Sequence, residues 1–220
     1  MKQSLLPSTP VHITYRLYGS IPNLPLQRLH ESHRLQLAKL KERFPAPRQM
    51  EERSALRAFR EGNEEAAVRF YLGYDNLLDR ALVGPTFLAT PEAKQLIIES
   101  WHTLARLRNL NIYAISVMSN HVHIILESRD ERSPFYLEAL LRDHKRYTGR
   151  ELNKLHGTPG RRVWAEKQYD RMIRRGKFEQ VLWYVLNNPV KAGLADDGVT
   201  WFGNWWAPEL KEMFLDVRAA

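Results

Sequence analysis

Two short runs of alternating apolar residues, Ile112 to Met118 and His121 to Glu127, stand back to back around Ser119-Asn120. No other part of the chain constrains the fold as much. Strand side chains alternate between faces, and a two-residue connection closes such runs into an antiparallel hairpin. Asparagine tolerates the positive φ that these turns require. In the first strand Tyr113, Ile115 and Val117 are expected on one face. In the second, Val122, Ile124 and Leu126 alternate against His121, His123, Ile125 and Glu127. The two histidines therefore point the same way and can grip one metal ion. Eight histidines in 220 residues make an H-x-H frequent by chance, and the plain alternative is a hydrogen-bonded pair on a half-buried strand.

The flanking chain supplies the partners such a hairpin needs. Val11 to Tyr18 is β-branched and aromatic, and Gly19-Ser20 and Pro22 close it, which predicts a strand. A helical pattern runs from Leu26 to Phe44 and stops at Pro45 and Pro47; the charged stretch beyond is read as helical through Arg60. Arg69 to Tyr74 reads as a short strand. Thr90-Pro91-Glu92 is a capped helix start, and that helix reaches Arg108. Ser133-Pro134 opens another helix to about Leu155, and Phe178 to Leu186 is a third, stopped by Asn187-Asn188-Pro189. Helices set among short strands argue for an α+β domain with a mostly antiparallel sheet. The residues after Gly198 carry three tryptophans in six positions, and packing over the core is the expected fate of that tail.

Composition narrows the function. Hydrophobic residues at 44% and charged residues at 26% are ordinary for a globular protein. No stretch has the run of apolar residues a membrane span needs, and Met1 to Pro10 lacks a secretory pattern. With no cysteine there is no disulfide framework and no thiolate metal site, and a cytoplasmic protein is expected. The net charge of +8 is unevenly placed. Between Arg142 and Lys177 there are twelve Lys/Arg against four Asp/Glu, and the remainder is neutral. Positive charge confined to one window is the footprint expected for a polyanion partner. Within it Arg142, Arg146, Arg150 and Lys154 recur every four residues as a helical stripe.

Four segments taken in order, HITYRLYGSIP, VMSNHVHIILE, VWAEKQYDRMIR and YVLNNPVKAGLADD, resemble the REP-associated tyrosine transposases, a branch of the single-tyrosine HUH transposases. The resemblance covers roughly residues 11–206. It implies a ferredoxin-like, mostly antiparallel sheet with helices on one face, plus a helical insertion and an aromatic C-terminal tail. In domain terms it implies a transposase domain over 1–198, with 27–63 as the insertion and 199–220 as the tail. It further implies that His121 and His123 bind a divalent metal, Mg or Mn, and that Tyr169 is the nucleophile. The activity implied is metal-dependent cleavage and strand transfer of single-stranded DNA at hairpin-forming repeats, through a 5′-phosphotyrosine. The chain departs from the pattern after that tyrosine. Arg171 stands where many relatives carry histidine, and Ile173 stands where the wider superfamily has a glutamine ligand.

The chemistry of the residues runs the same way. A phenol is a poor nucleophile until a cation polarises the phosphate or nearby basic groups favour phenolate. Lys167, Arg171 and Arg174 are the basic neighbours of Tyr169. Arg142, Lys145, Arg146 and Arg150 are the expected phosphate contacts. Two imidazoles suit Mn²⁺ or Zn²⁺ better than Mg²⁺, although abundance favours Mg²⁺. Glu127, Asp170 and Gln168 are the alternatives for a third ligand. His30-Glu31-Ser32-His33 lacks metal-site spacing and reads as an exposed helix start. The expected partner is single-stranded or hairpin DNA, with no membrane, and the protein acts as a monomer or homodimer. A non-catalytic binder of structured DNA or RNA is the competing reading.

Overall fold

A computed structural model describes residues 9–44, 53–80, 84–129 and 136–210 of the chain. Nine of its segments concern the site. Strand β1 is Val11–Leu17, β2 Leu110–Val117, β3 His121–Ser128, β4 Trp164–Met172 and β5 Asn204–Trp206. Helix α3 is Pro91–Arg108, α4 Leu137–Leu155, α5 Phe178–Leu186 and α6 Asn188–Lys191. The expected start of α4 at Ser133-Pro134 lies outside the described residues.

All strand pairs are antiparallel, and the order is β4-β1-β3-β2-β5. Within β1 to β4 the chain runs strand, helices, strand, strand, helix, strand, which is the ferredoxin-like pattern. Alternation sorts β1 cleanly. Val11, Ile13, Tyr15 and Leu17 enter a core with Val122, Ile124 and Leu126 of β3. Against this layer pack Ala93, Ile97 and Trp101 of α3 and Leu137, Leu140, Leu141 and Leu152 of α4. Truncating one such buried aromatic, Trp101→Ala, is expected to cost about 3–5 kcal/mol.

The second face is different. Here Ala114 and Ile125 meet Leu182, Val185 and Leu186 of α5, and Ile173 joins them from the end of β4. So the long helices α3 and α4 share one face, as expected, while the short α5 covers part of the other. His12, Thr14, His121 and His123 are buried on this second face.

Three local expectations are corrected. A bulge between Ile112 and Ala114 interrupts the alternation of β2. Tyr113 therefore packs with Phe178 on the α5 side, while Ile115 and Val117 enter the first core. Asn120 has no positive φ; among the described residues Asn109, the C-cap of α3, is the non-glycine residue that does, at 49°. The turn is held from outside instead, because Leu88 N–H donates to Ser119 O and Leu17 N–H to Asn120 O. Finally, Arg69 to Tyr74 is not a strand but part of helix α2, Arg53–Asp79.

That helix belongs to a second compact unit, Ile21–Gly84; the first unit comprises 1–20 and 85–220. Its other helix, α1, is Asn23–Arg43. The two lie close where α2 carries glycine. A Cβ on Gly62 would meet Leu40 Cδ1 at 2.6 Å, and one on Gly73 would meet Leu29 Cδ1 at 2.7 Å. Tolerating glycine inside a helix costs about 1 kcal/mol each; here the gain is a close helix–helix approach.

The tail returns to the sheet. β5 pairs with β2 at Ala114, Ile115 and Ser116. Trp201 Nε1 donates to Val117 O at 3.1 Å, and Trp205 and Trp206 pack against the core. Among the described residues no helix is long and apolar enough to cross a membrane.

Candidate functional site

Registration of the strands builds the site. Asn204, Ser116, His123, Thr14 and Tyr169 are successive partners across β5, β2, β3, β1 and β4. Residues paired across a sheet share its face, so these five form one polar row. His12 and Arg171 pair in the neighbouring row, and Arg16 pairs with His121.

The imidazoles are joined. His121 Nδ1 donates to Asn120 Oδ1 at 2.6 Å, which leaves its Nε2 bearing a lone pair. His123 Nδ1 lies 3.0 Å from Thr14 Oγ1 and 3.1 Å from His12 Nε2. With the His123 proton on Nδ1, the two bare Nε2 atoms face each other at 2.9 Å. Two lone pairs so placed repel unless a cation lies against both. Two nitrogens each about 2.1 Å from one ion, at right angles, stand about 3 Å apart, so the donor set fits a metal. An outer hydrogen bond that fixes the ring tautomer, as Asn120 supplies, is the usual support of a ligating histidine. Burial pushes the His121 pKa well below its usual value, and His123 and Lys191 add to the effect. Burial and then Lys191 push His123 down to about 3. Both imidazoles are therefore neutral, the form that binds metal.

No third His, Asp or Glu completes a metal cluster among the described residues. Glu127 lies on the histidine face but four residues farther along β3, roughly 13 Å at strand rise. There it accepts hydrogen bonds from Tyr113 and Asn111. Asp170 and Gln168 pair with Ile13 and Tyr15, whose side chains face the other core.

Two tyrosines flank the histidines. Tyr169, expected from the sequence, lies two strands from His123 with Thr14 between them. Burial pushes its hydroxyl pKa up, and Arg16 opposes this in part. Tyr184 comes from α5. Its ring centroid is 6.2 Å from that of His123 and 6.1 Å from that of His12, both edge-on. Lys191 Nζ stands 5.5 Å above the same ring. The sequence reading passed over Tyr184, His12 and Arg16. A signal existed for the last two: polar His12, Thr14 and Arg16 alternate with apolar Val11, Ile13, Tyr15 and Leu17. Tyr184 gave none beyond its place in the YVLNNPVKAG segment, which reads as a helix stop.

The basic residues divide. Arg171 lies on the histidine face beside His12. Arg142, Lys145, Arg146 and Lys167 line a trough between α4 and β4, together with Arg161 and Arg162. Arg150 is not part of that lining, and Arg174 lines a separate hollow with Tyr113 and Phe178. Lys145 turns inward, donating to Ala165 O at 3.0 Å, Glu166 O at 3.1 Å and Gln168 Oε1 at 3.3 Å. Burial, then Arg16, pulls its pKa down to about 8, against the opposite pull of Glu166.

No protein-family model matches this chain, and neither does any curated protein. Among solved structures, it is similar to a REP-associated tyrosine transposase bound to a REP hairpin. The TM-score is 0.47 at 14% sequence identity, over 91% of this chain and 78% of that one.

Proposed function

We propose that this protein is a metal-dependent single-stranded DNA endonuclease and strand transferase that acts at hairpin-forming repeats through a 5′-phosphotyrosine. The observation that carries the reading is the convergence of His121 Nε2 and His123 Nε2 at 2.9 Å beside a tyrosine ring. The resemblance of four ordered sequence segments to REP-associated tyrosine transposases agrees with it.

In this reading His121 and His123 would hold Mg²⁺ or Mn²⁺, and the ion would supply polarisation of the scissile phosphate. Asn120 Oδ1 accepts the Nδ1 proton of His121 and keeps that ring in the ligating tautomer, and Thr14 Oγ1 can accept the Nδ1 proton of His123. The tyrosine oxygen bonds to phosphorus while the P–O3′ bond breaks; the departing 3′ oxygen takes up a proton, and the 5′ phosphate stays on the protein. The new ester retains the energy of the old bond, so a second 3′-hydroxyl can reverse the step without a nucleotide cofactor. We take Tyr184 as the nucleophile, because its ring adjoins both His123 and His12 while Tyr169 is separated from His123 by a strand. Lys191, above the Tyr184 ring, favours the negative charge that develops on oxygen. Tyr169 remains the sequence-based candidate, with Arg16 and Arg171 as its basic neighbours.

The test uses hairpin oligonucleotides from the source genome with Mn²⁺ or Mg²⁺, and denaturing gels to reveal protein–DNA adducts. The native chain is expected to form an adduct that Tyr184→Phe abolishes and Tyr169→Phe does not. Adduct mapping to residue 169 would transfer the role to that tyrosine. Absence of any adduct or nicking with either metal would leave the non-catalytic binder as the better reading. Replacing His121 and His123 by alanine is expected to stop cleavage while much of the DNA affinity survives.

A further inference from the structure

The trough between α4 and β4 lies on the far side of the edge strand from most of the histidine row, and the cleavage chemistry makes no use of it. Its volume is about 800 Å³. Arg142 and Arg146 form one wall, and Arg161, Arg162 and Lys167 form the other; Glu138 and Glu166 are the acids that line it.

These cations are weakly engaged. Arg142 and Arg146 share a single carboxylate, Asp143, at 3.9 and 3.0 Å. Arg162 lies over the ring of Tyr18, and Arg161 over that of Phe87, contacts that leave their charge unneutralised. Arg161 Nε and Nη2 are enclosed yet make no hydrogen bond among the described residues.

The walls also decide what kind of polyanion fits. β4 is an edge strand, and an open edge invites a peptide to add to the sheet. Here Lys145 already occupies Ala165 O and Glu166 O, so a peptide cannot pair along this stretch. Double-stranded DNA is read by a convex element that enters its groove. A concave trough with cations on both walls instead takes a single strand, whose phosphates follow the charges. The α4 wall from Glu138 to Gly149 is about 17 Å long at helical rise, which spans roughly five nucleotides at stacked spacing. At one end of the trough Gln168 is followed in β4 by Tyr169, which pairs with Thr14 on the opposite face of the sheet.

We infer that this trough binds an extended single strand of nucleic acid through its phosphates, with Arg142, Arg146, Arg161, Arg162 and Lys167 as the contacts. The inference deepens the proposed function by naming where the strand lies, but binding is measured without cleavage.

The experiment titrates a fluorescent dT₁₂ against the full chain in EDTA, by anisotropy, from 50 to 200 mM NaCl. A duplex of the same length and an rU₁₂ strand run beside it. The variant Arg146→Ala/Arg162→Ala/Lys167→Ala removes charge from both walls; circular dichroism checks its fold. It is expected to bind dT₁₂ at least tenfold more weakly, and to flatten the slope of log K against log salt by about two units. Arg150→Ala, on the same helix but off the trough, is expected to bind as the native chain does. The duplex is expected to bind more weakly than either single strand. A native-like slope in the triple variant overturns the inference. So does an equal loss in Arg150→Ala, or equal affinity for the duplex. Because EDTA removes the metal, dT₁₂ binding that the native chain shows and the triple variant loses keeps the trough even if no adduct ever forms.

Discussion

His144 is fully buried between Tyr15, Ser100 and Trp101, out of reach of the water that would solvate a second ring proton. Trp101 Nε1 donates to the Tyr15 hydroxyl at 2.9 Å, and that hydroxyl lies 2.7 Å from His144 Nε2. Ser100 Oγ takes the opposite nitrogen at 3.0 Å. Burial, with Lys145 adding to it, pushes the His144 pKa down to about 3. An unfolded histidine titrates near 6.5, so between those two values the unfolded chain binds a proton that the folded chain refuses. The contribution to stability is complete above pH 6.5 and is lost as pH falls toward 3. Within that window each such histidine steepens the loss by up to about 1.4 kcal/mol per pH unit. His121 and His123 act with the same sign. Urea unfolding of His144→Gln between pH 7 and 4.5 is therefore expected to show a shallower fall than the native chain, by about one proton. Parallel curves would show that His144 takes no part in the acid response.

At the scale of elements, close backbone approach decides where substitution is tolerated. A Cβ on Gly203 would meet Val117 O at 2.3 Å and Trp201 Nε1 at 2.6 Å. Gly203 O also accepts from Val117 N–H at 2.8 Å, at the point where the tail joins β2. Gly203→Ala is expected to cost about 2 kcal/mol or more by overpacking, and to weaken the near-ultraviolet signal of the tail tryptophans. An unchanged unfolding midpoint would mean that β5 contributes nothing to stability. The strands and helices that bury one clean face were legible in the sequence. β1, the β2–β3 hairpin, the Thr90 cap and the stop at Asn187 all rest on local alternation or capping chemistry. What escaped depends on partners distant in sequence. Tyr113 changes face because of a bulge set by its neighbour strand. Phe70 and Tyr74 mimic a strand run, yet with Ala66 they form the buried side of α2. Asn120 supports its turn and His121 through an accepted hydrogen bond rather than through φ. For the site, the H-x-H pair was visible as a strand alternation. Tyr184 was not, because only the packing of α5 onto the second face brings it to the histidines.

For the molecule as a whole, the division into two units has an experimental consequence. The helical unit leaves after Ser20 and returns at Pro85. These ends are near each other, since a Cβ on Gly19 would lie 3.9 Å from Pro85 Cδ. Replacing 21–84 by a short Gly–Ser linker is thus expected to leave a cooperatively folding sheet unit that still binds Mn²⁺ through His121 and His123, as calorimetry would register. Loss of cooperative unfolding would show that the sheet unit relies on the helical one. The strand order carries a further consequence for how the chain is made. β1 is synthesised first, yet its two sheet partners are β3 and β4. Its last partner, paired between Val11↔Met172 and Leu17↔Trp164, leaves the ribosome some 150 residues later. At 5–20 residues per second that interval is roughly 8–30 s. Until β3 follows, some 110 residues after β1, both edges of this apolar segment are bare, and the edge that β4 covers stays bare to the end of the interval. Among the five strands β1 therefore carries the longest exposure to mispairing, and a holdase that covered Val11 to Leu17 would serve the emerging chain longer than one acting on any other strand.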